Sequence, residues 1–242
     1  MSSVSPTPCP PGYYCPAKSS KPIICPKGFF CPGKSEFMYK CANGTYCPEK
    51  SASPIKCPGG TFGTGVAENH NLTISCTSCG RGLYSSEETG SGLCFDCNPG
   101  YVCLGKTNSK TPLIRERDNG YICPAGHYCP RASYEETPCP VGTFNKHTGK
   151  GNITDCIPCI EGYYNDLIGQ AGCKKCGPSS TSTPGSLTCT CIGRNRIFVK
   201  SIGSCLCENG YKPKDGMSDG DSKSDCESIV KIPCSEGQTV TL

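Results

Sequence analysis

The chain has 242 residues, 25 of them cysteine, and Leu, Ile, Val and Phe together number only 38, about 16%, below the roughly 20% at which an ordinary apolar core becomes hard to build. A net charge of +4 is too small for strong nucleic-acid steering or for a charge-expanded disordered chain. What these figures leave is a small disulfide-rich fold in which cross-links stand in for the missing core.

The predicted elements follow a repeat. Cys9-Pro-Pro-Gly-Tyr-Tyr-Cys15, Cys25-Pro-Lys-Gly-Phe-Phe-Cys31 and Cys41-Ala-Asn-Gly-Thr-Tyr-Cys47 recur every 16 residues, so residues 1–56 hold three C-x5-C repeats. Residues 57–96 hold two longer repeats with heads at Cys57 and Cys79. Residues 97–138 hold two more C-x5-C repeats, with an inserted loop from Thr107 to Tyr121. Residues 139–190 hold three longer repeats, headed by Cys139, Cys159 and Cys176. Residues 191–242 hold two looser repeats and Cys234-Ser-Glu-Gly237, a further head without its partner. The chain therefore reads as a piece of a longer array. Met1-Ser-Ser-Val-Ser-Pro6 has no apolar signal region, and no run of 18 apolar residues predicts a membrane span.

Pairing each head cysteine with the next cysteine divides the set cleanly: Cys9 with Cys15, Cys25 with Cys31, Cys41 with Cys47, Cys57 with Cys76, Cys79 with Cys94, and Cys97 with Cys103. The series continues with Cys123 and Cys129, Cys139 and Cys156, Cys159 and Cys173, Cys176 and Cys189, Cys191 and Cys205, and Cys207 and Cys226. An interlaced scheme satisfies the same count. The Gly three residues after most heads, replaced by Ser179 after Cys176, suits a turn with positive φ. The aromatic at the next one or two positions supplies most of the large apolar area of its repeat. Such repeats are too small to bury their own surface. They are expected to stack into an elongated tandem array of short β-hairpins with little or no helix.

Other chemistries account for fewer of these residues. Cys76, Cys79, Cys94 and Cys97, and likewise Cys156, Cys159, Cys173 and Cys176, come close to zinc-ribbon spacing. One disulfide grammar covers all the repeats, whereas zinc covers eight cysteines. Asp215, Asp219, Asp221 and Asp225 cluster as in a calcium loop, but Lys223 stands where another oxygen ligand is wanted; no metal or cofactor is expected. His70, His127 and His147 lie in no nucleophile or metal motif, so no enzyme is expected. Lys18, Lys34, Lys50 and Lys106 recur at one offset, each followed by Ser or Thr, either as a solvated turn face or as a basic ladder facing acidic polysaccharide. Three sequons, at Asn43, Asn71 and Asn152, predict N-linked glycans.

The heads Cys57-Pro-Gly-Gly-Thr-Phe, Cys79-Gly-Arg-Gly-Leu-Tyr and Cys139-Pro-Val-Gly-Thr-Phe, with their C-x-x-C junctions, resemble the ephrin-receptor-type cysteine-rich repeat, itself similar to the first module of tumour-necrosis-factor-receptor domains. Residues 57–190 carry this resemblance best, with the C-x5-C repeats at 97–138 departing from it. The C-x5-C repeats look more like the cysteine-rich arrays of large protist and algal surface proteins. Cys205-Leu-Cys207-Glu-Asn-Gly-Tyr211 looks like the end of an epidermal-growth-factor-like module, making 191–242 degenerate repeats of that type. The resemblance implies an extracellular or cell-surface location. The leading expectation is a structural segment of a glycosylated filament or cell coat, its partners being copies of itself or other matrix and coat proteins, with no nucleic acid. The alternative is a ligand-binding receptor ectodomain, whose partner the inserted loop would be free to contact.

Overall fold

A computed structural model describes residues 8–63, 76–86 and 92–229. The head at Cys234 and the sequon at Asn71 lie outside the described residues, as does His70. The chain packs as two compact bodies, Met1–Thr137 with His147–Asp155, and Pro138–Lys146 with Cys156–Leu242.

Each repeat is built from its head outward. In the first, Gly12 takes φ +80° and lets the Tyr13 N–H close a turn onto the Pro10 carbonyl (3.2 Å). The chain leaves that turn extended as β1 (Tyr13–Tyr14), runs through a second turn and returns antiparallel as β2 (Ile23–Ile24), with Tyr14 opposite Ile23. The same device gives β3 (Phe29–Phe30) with β4 (Tyr39–Lys40), and β5 (Thr45–Tyr46) with β6 (Ile55–Lys56). Among the described residues the strands form twelve two-stranded antiparallel hairpins. The longest joins Arg196–Val199 to Ser204–Cys207, so the most strand-like apolar run of the sequence pairs inside its own repeat. The one α-helix among the described residues is a single turn, α1 (Arg115–Asp118).

Strands of two residues cannot hold themselves together in water, and the stabilisation comes from two other sources. Twelve disulfides join each head cysteine to the cysteine that follows it, from Cys9–Cys15 to Cys207–Cys226. The second source is a ladder of backbone hydrogen bonds between consecutive repeats. The head Gly N–H donates to the second cysteine of the next repeat, as from Gly12 to Cys31 and Gly28 to Cys47 (2.9 Å each). The head Cys carbonyl accepts from the turn three residues beyond that cysteine: Lys34 donates to Cys9 and Lys50 to Cys25 (2.8 Å each), Lys106 to Cys79 (3.0 Å) and Ala132 to Cys97 (3.1 Å). In the second body Gly169 and Gly185 play the same part toward Cys139 and Cys159.

The buried interior is mostly sulfur. Cys25, Cys31, Cys97, Cys103, Cys123, Cys129, Cys139 and Cys159 are fully buried, whereas Val102 and Tyr164 are the large aliphatic and aromatic side chains that join them. Val102 packs on Cys123 and Cys129 in the first body, and Tyr164 on Cys176 and Cys189 in the second, with the Phe198 ring edge-on at 5.4 Å. Twelve disulfides belong to an oxidising compartment, and the chain is extracellular.

Candidate ligand-binding surface

The inserted loop is the clearest departure from the repeat, and it folds back on itself while leaving Leu113 and Ile114 exposed. Thr107 and Pro112 are fully buried and Asp118 nearly so. Thr107 Oγ1 donates to the Asn119 carbonyl (2.8 Å), and its own carbonyl accepts the Ser85 N–H of the preceding repeat (3.1 Å). Asp118 is the organiser. Its Oδ2 accepts the N–H groups of Leu113 (2.9 Å) and Ile114 (3.1 Å), and the Arg117 guanidinium grips both oxygens (2.6 and 3.0 Å). The guanidinium first, then these backbone donors, hold the Asp118 carboxyl far below the usual carboxylate range. Asn119 ends the turn in the left-handed conformation at φ +51°, as C-terminal helix positions favour.

The consequence is a fixed apolar pair. Leu113 and Ile114 stand 61% and 47% exposed on a backbone that Asp118 immobilises. Behind them Arg115 lies 4.8 Å from the centre of the Tyr121 ring, and the Tyr121 hydroxyl donates to the Glu136 carboxylate of the next hairpin. Burial first, then this hydrogen bond, pushes the Tyr121 hydroxyl up to about 12. Exposed aliphatics on an ordered base, followed in the chain by the exposed charges of Arg115, Glu116 and Arg117, give an apolar patch beside polar groups, as interfaces have. The sequence marks the insertion by its length; Asn119-Gly120 is a helix-stop signal, but nothing in the local pattern marks Asp118 as the clamp.

The remaining sequence candidates divide. The zinc-like quartets are split among six bridges, Cys76 bonding Cys57 and Cys97 bonding Cys103, for example. The four aspartates of the acidic loop serve separate partners. Asp215 accepts from Ser222 and Met217, Asp219 from the Cys207 N–H, Asp221 from Ser218 and Asp225 from the Arg194 N–H. The one group among the described residues close enough to share an ion is Cys207, Asp219 and Cys226, and its two sulfurs are bonded to each other. Asn43 and Asn152 are both exposed, and Asn152 Oδ1 accepts the Thr154 N–H of its own sequon (3.0 Å). Lys18, Lys34, Lys50 and Lys106 all adopt the left-handed conformation, with φ of 71°, 68°, 65° and 55°. Their common offset is therefore a backbone requirement first, and their charge comes second.

No family model matches the chain. Among curated proteins it is 27% identical over 125 residues to the cowpox virus soluble TNF receptor II, covering 47% of this chain and 33% of that protein. It is 28% identical over 120 residues to cytokine response-modifying protein B of variola virus, covering 45% and 32%. The chain is similar to receptor-like cysteine-rich proteins of the tumour-necrosis-factor-receptor type. It spans about a third of the length of the curated relatives it matches. Among the described residues no helix is long and apolar enough to cross a membrane.

Proposed function

We propose that the chain is a ligand-binding, cysteine-rich ectodomain that takes a protein ligand against its first body, with Leu113 and Ile114 as the anchor. The observation that carries this is the similarity to a soluble cytokine receptor, which favours the receptor alternative over the structural filament. The architecture supports it: a scaffold rigidified by bridges offers side chains that lose little entropy on binding, which is how a modest surface reaches useful affinity. The similarity also proposes a ligand class, extracellular cytokines of the tumour-necrosis-factor type. The ephrin-receptor-type head is part of the same reading, since that repeat and the receptor module share their turn and junction.

Surface plasmon resonance of the full chain, oxidised and immobilised, against such cytokines tests the reading. Binding is expected, and Leu113→Asp with Ile114→Asp is expected to weaken it more than tenfold without moving the thermal transition. No binding to any of them, together with concentration-dependent polymers in sedimentation, would return the chain to the filament reading.

A further inference from the structure

Charge is not spread evenly along the chain. Residues 1–63 contain seven lysines, no arginine and two glutamates, a surplus of five, whereas the remaining 179 residues are nearly balanced at 17 basic and 18 acidic. All seven lysines, Lys18, Lys21, Lys27, Lys34, Lys40, Lys50 and Lys56, are exposed, as are Glu36 and Glu49. Within the segment seven ammonium groups stand against two carboxylates, so its own formal charge is net positive.

The placement is regular. Lys18, Lys34 and Lys50 occupy one register position of three consecutive repeats, and Lys40 and Lys56 occupy another, on the return strands β4 and β6. Consecutive repeats are tied by the same backbone bonds, Lys34 to Cys9 and Lys50 to Cys25, so one step generates the rows. Apolar rings lie between the charges. Tyr39 is 48% and Phe37 68% exposed, the Phe30 and Tyr39 rings pack tilted with centroids 5.5 Å apart, and the Lys50 ammonium sits 5.0 Å from the centre of the Tyr13 ring.

We propose that residues 8–63 bind an acidic polysaccharide, a sulfated or uronic-acid chain, through lysines repeating every 16 residues and the aromatic rings between them. A polymer with an acid group on each sugar matches charges that recur at a fixed step, and the C–H face of a sugar ring suits an exposed aromatic. The use of lysine throughout fits the same partner. Arginine is the residue of planar, bidentate protein contacts and interface hot spots, and this segment has none. Lysines are point charges that meet sulfates and carboxylates from many directions.

Heparin is the probe. The full chain is expected to be retained on heparin–agarose at about 0.15 M salt and released as higher ionic strength screens exposed charges. The test variant combines Lys18→Gly, Lys34→Gly, Lys27→Gln and Lys40→Gln. It leaves Lys50 on its ring and uses at two turns the residue that Gly149 and Gly185 already supply elsewhere. It is expected to bind a heparin oligosaccharide at least tenfold more weakly with its thermal transition kept. A second variant, Lys27→Glu with Lys40→Glu, touches no left-handed turn and is expected to weaken binding in the same direction. Lys174→Gln with Lys175→Gln, in the second body, is expected to leave binding unchanged, as is Leu113→Asp, which separates this site from the cytokine surface. Failure of the full chain to be retained would overturn the proposal, as would equal binding by the four-lysine variant. Equally tight binding of polyglutamate or phosphatidylserine vesicles would overturn it too, because it would show charge without sugar recognition.

Discussion

At the scale of single residues the array turns on one interlock. In the C-x5-C repeats the left-handed residue three positions after the second cysteine, as at Lys50 and Lys106, gives its N–H to the repeat before and turns its carbonyl toward the head glycine two repeats before. A Cβ on Gly12 would lie 2.4 Å from the Lys50 carbonyl oxygen, and one on Gly60 would lie 2.0 Å from that of Lys106. The head glycine is thus required twice, by φ and by a backbone that leaves no room. Gly60→Ala is expected to destabilise by about 2 kcal/mol or more, since strained backbone of this kind costs of order 1–3 kcal/mol before any clash. Lys34→Gly removes a side chain from a left-handed position that disfavours it by roughly 1–2 kcal/mol, so it is expected to be neutral or stabilising by about 1 kcal/mol. Urea unfolding of the two variants checks both signs, and a tolerated alanine at Gly60 would contradict the interlock.

A second residue-scale prediction concerns Asp166, which accepts from the ammonium groups of Lys174 (2.7 Å) and Lys200 (3.0 Å). These two donors hold its carboxyl down at about 2. The folded state therefore binds this proton less readily than the unfolded chain does. The stabilisation is complete above the ordinary carboxylate value near 4 and is lost as the pH falls through about 2. Both lysines are about half exposed, so the effect is expected to be no more than about 1 kcal/mol. Unfolding midpoints at pH 5 and pH 2 should converge between the native chain and Asp166→Asn, and a constant gap would exclude this pair as the source.

At the scale of elements the hairpin is only as stable as its bridge. In the chain-entropy model a bridge closing about 15 residues contributes about 3 kcal/mol and one closing about 7 contributes about 2.4 kcal/mol. Replacing Cys159 and Cys173, 14 apart in sequence, by alanine should cost more than replacing Cys123 and Cys129, 6 apart, if unfolded-state entropy dominates. The opposite order would place the weight on burial instead, because Cys123 and Cys129 are fully buried against Val102. The hairpins were legible because Gly, an aromatic and the next Cys recur at fixed offsets, and turn chemistry is local. The pairing of neighbouring cysteines was legible for the same reason, and the twelve bridges join the pairs that order alone suggested. Asp118 was not legible. The four hydrogen bonds to its carboxylate come from Leu113, Ile114 and Arg117 only once the insertion has folded back, and no period announces that.

At the scale of the whole molecule the shortage of aliphatic side chains should make the fold depend on oxidation. Full reduction is expected to abolish the thermal transition and the near-ultraviolet signal of the tyrosines, and a chain that kept both after reduction would have a core the structure does not contain. Glycosylation belongs to this scale as well. Asn43 and Asn152 are exposed and each sits beside a turn, so secretion from a eukaryotic host is expected to add a glycan at both, read as a mass loss at each on enzymatic release. An unmodified Asn152 would trace to the hydrogen bond that its side chain makes to Thr154.

Composition and spacing determined the disulfide grammar, the hairpin repeat and the oxidising compartment, because each depends on residues within about 20 positions of one another. The tertiary structure decided which surface is available. It folded the insertion into an ordered platform, set the recurring lysines on left-handed backbone positions, and distributed the acidic loop among separate partners. Those outcomes depend on contacts between successive repeats, where a carbonyl from one repeat meets a glycine two repeats away, and such contacts leave only a glycine and an offset in the sequence.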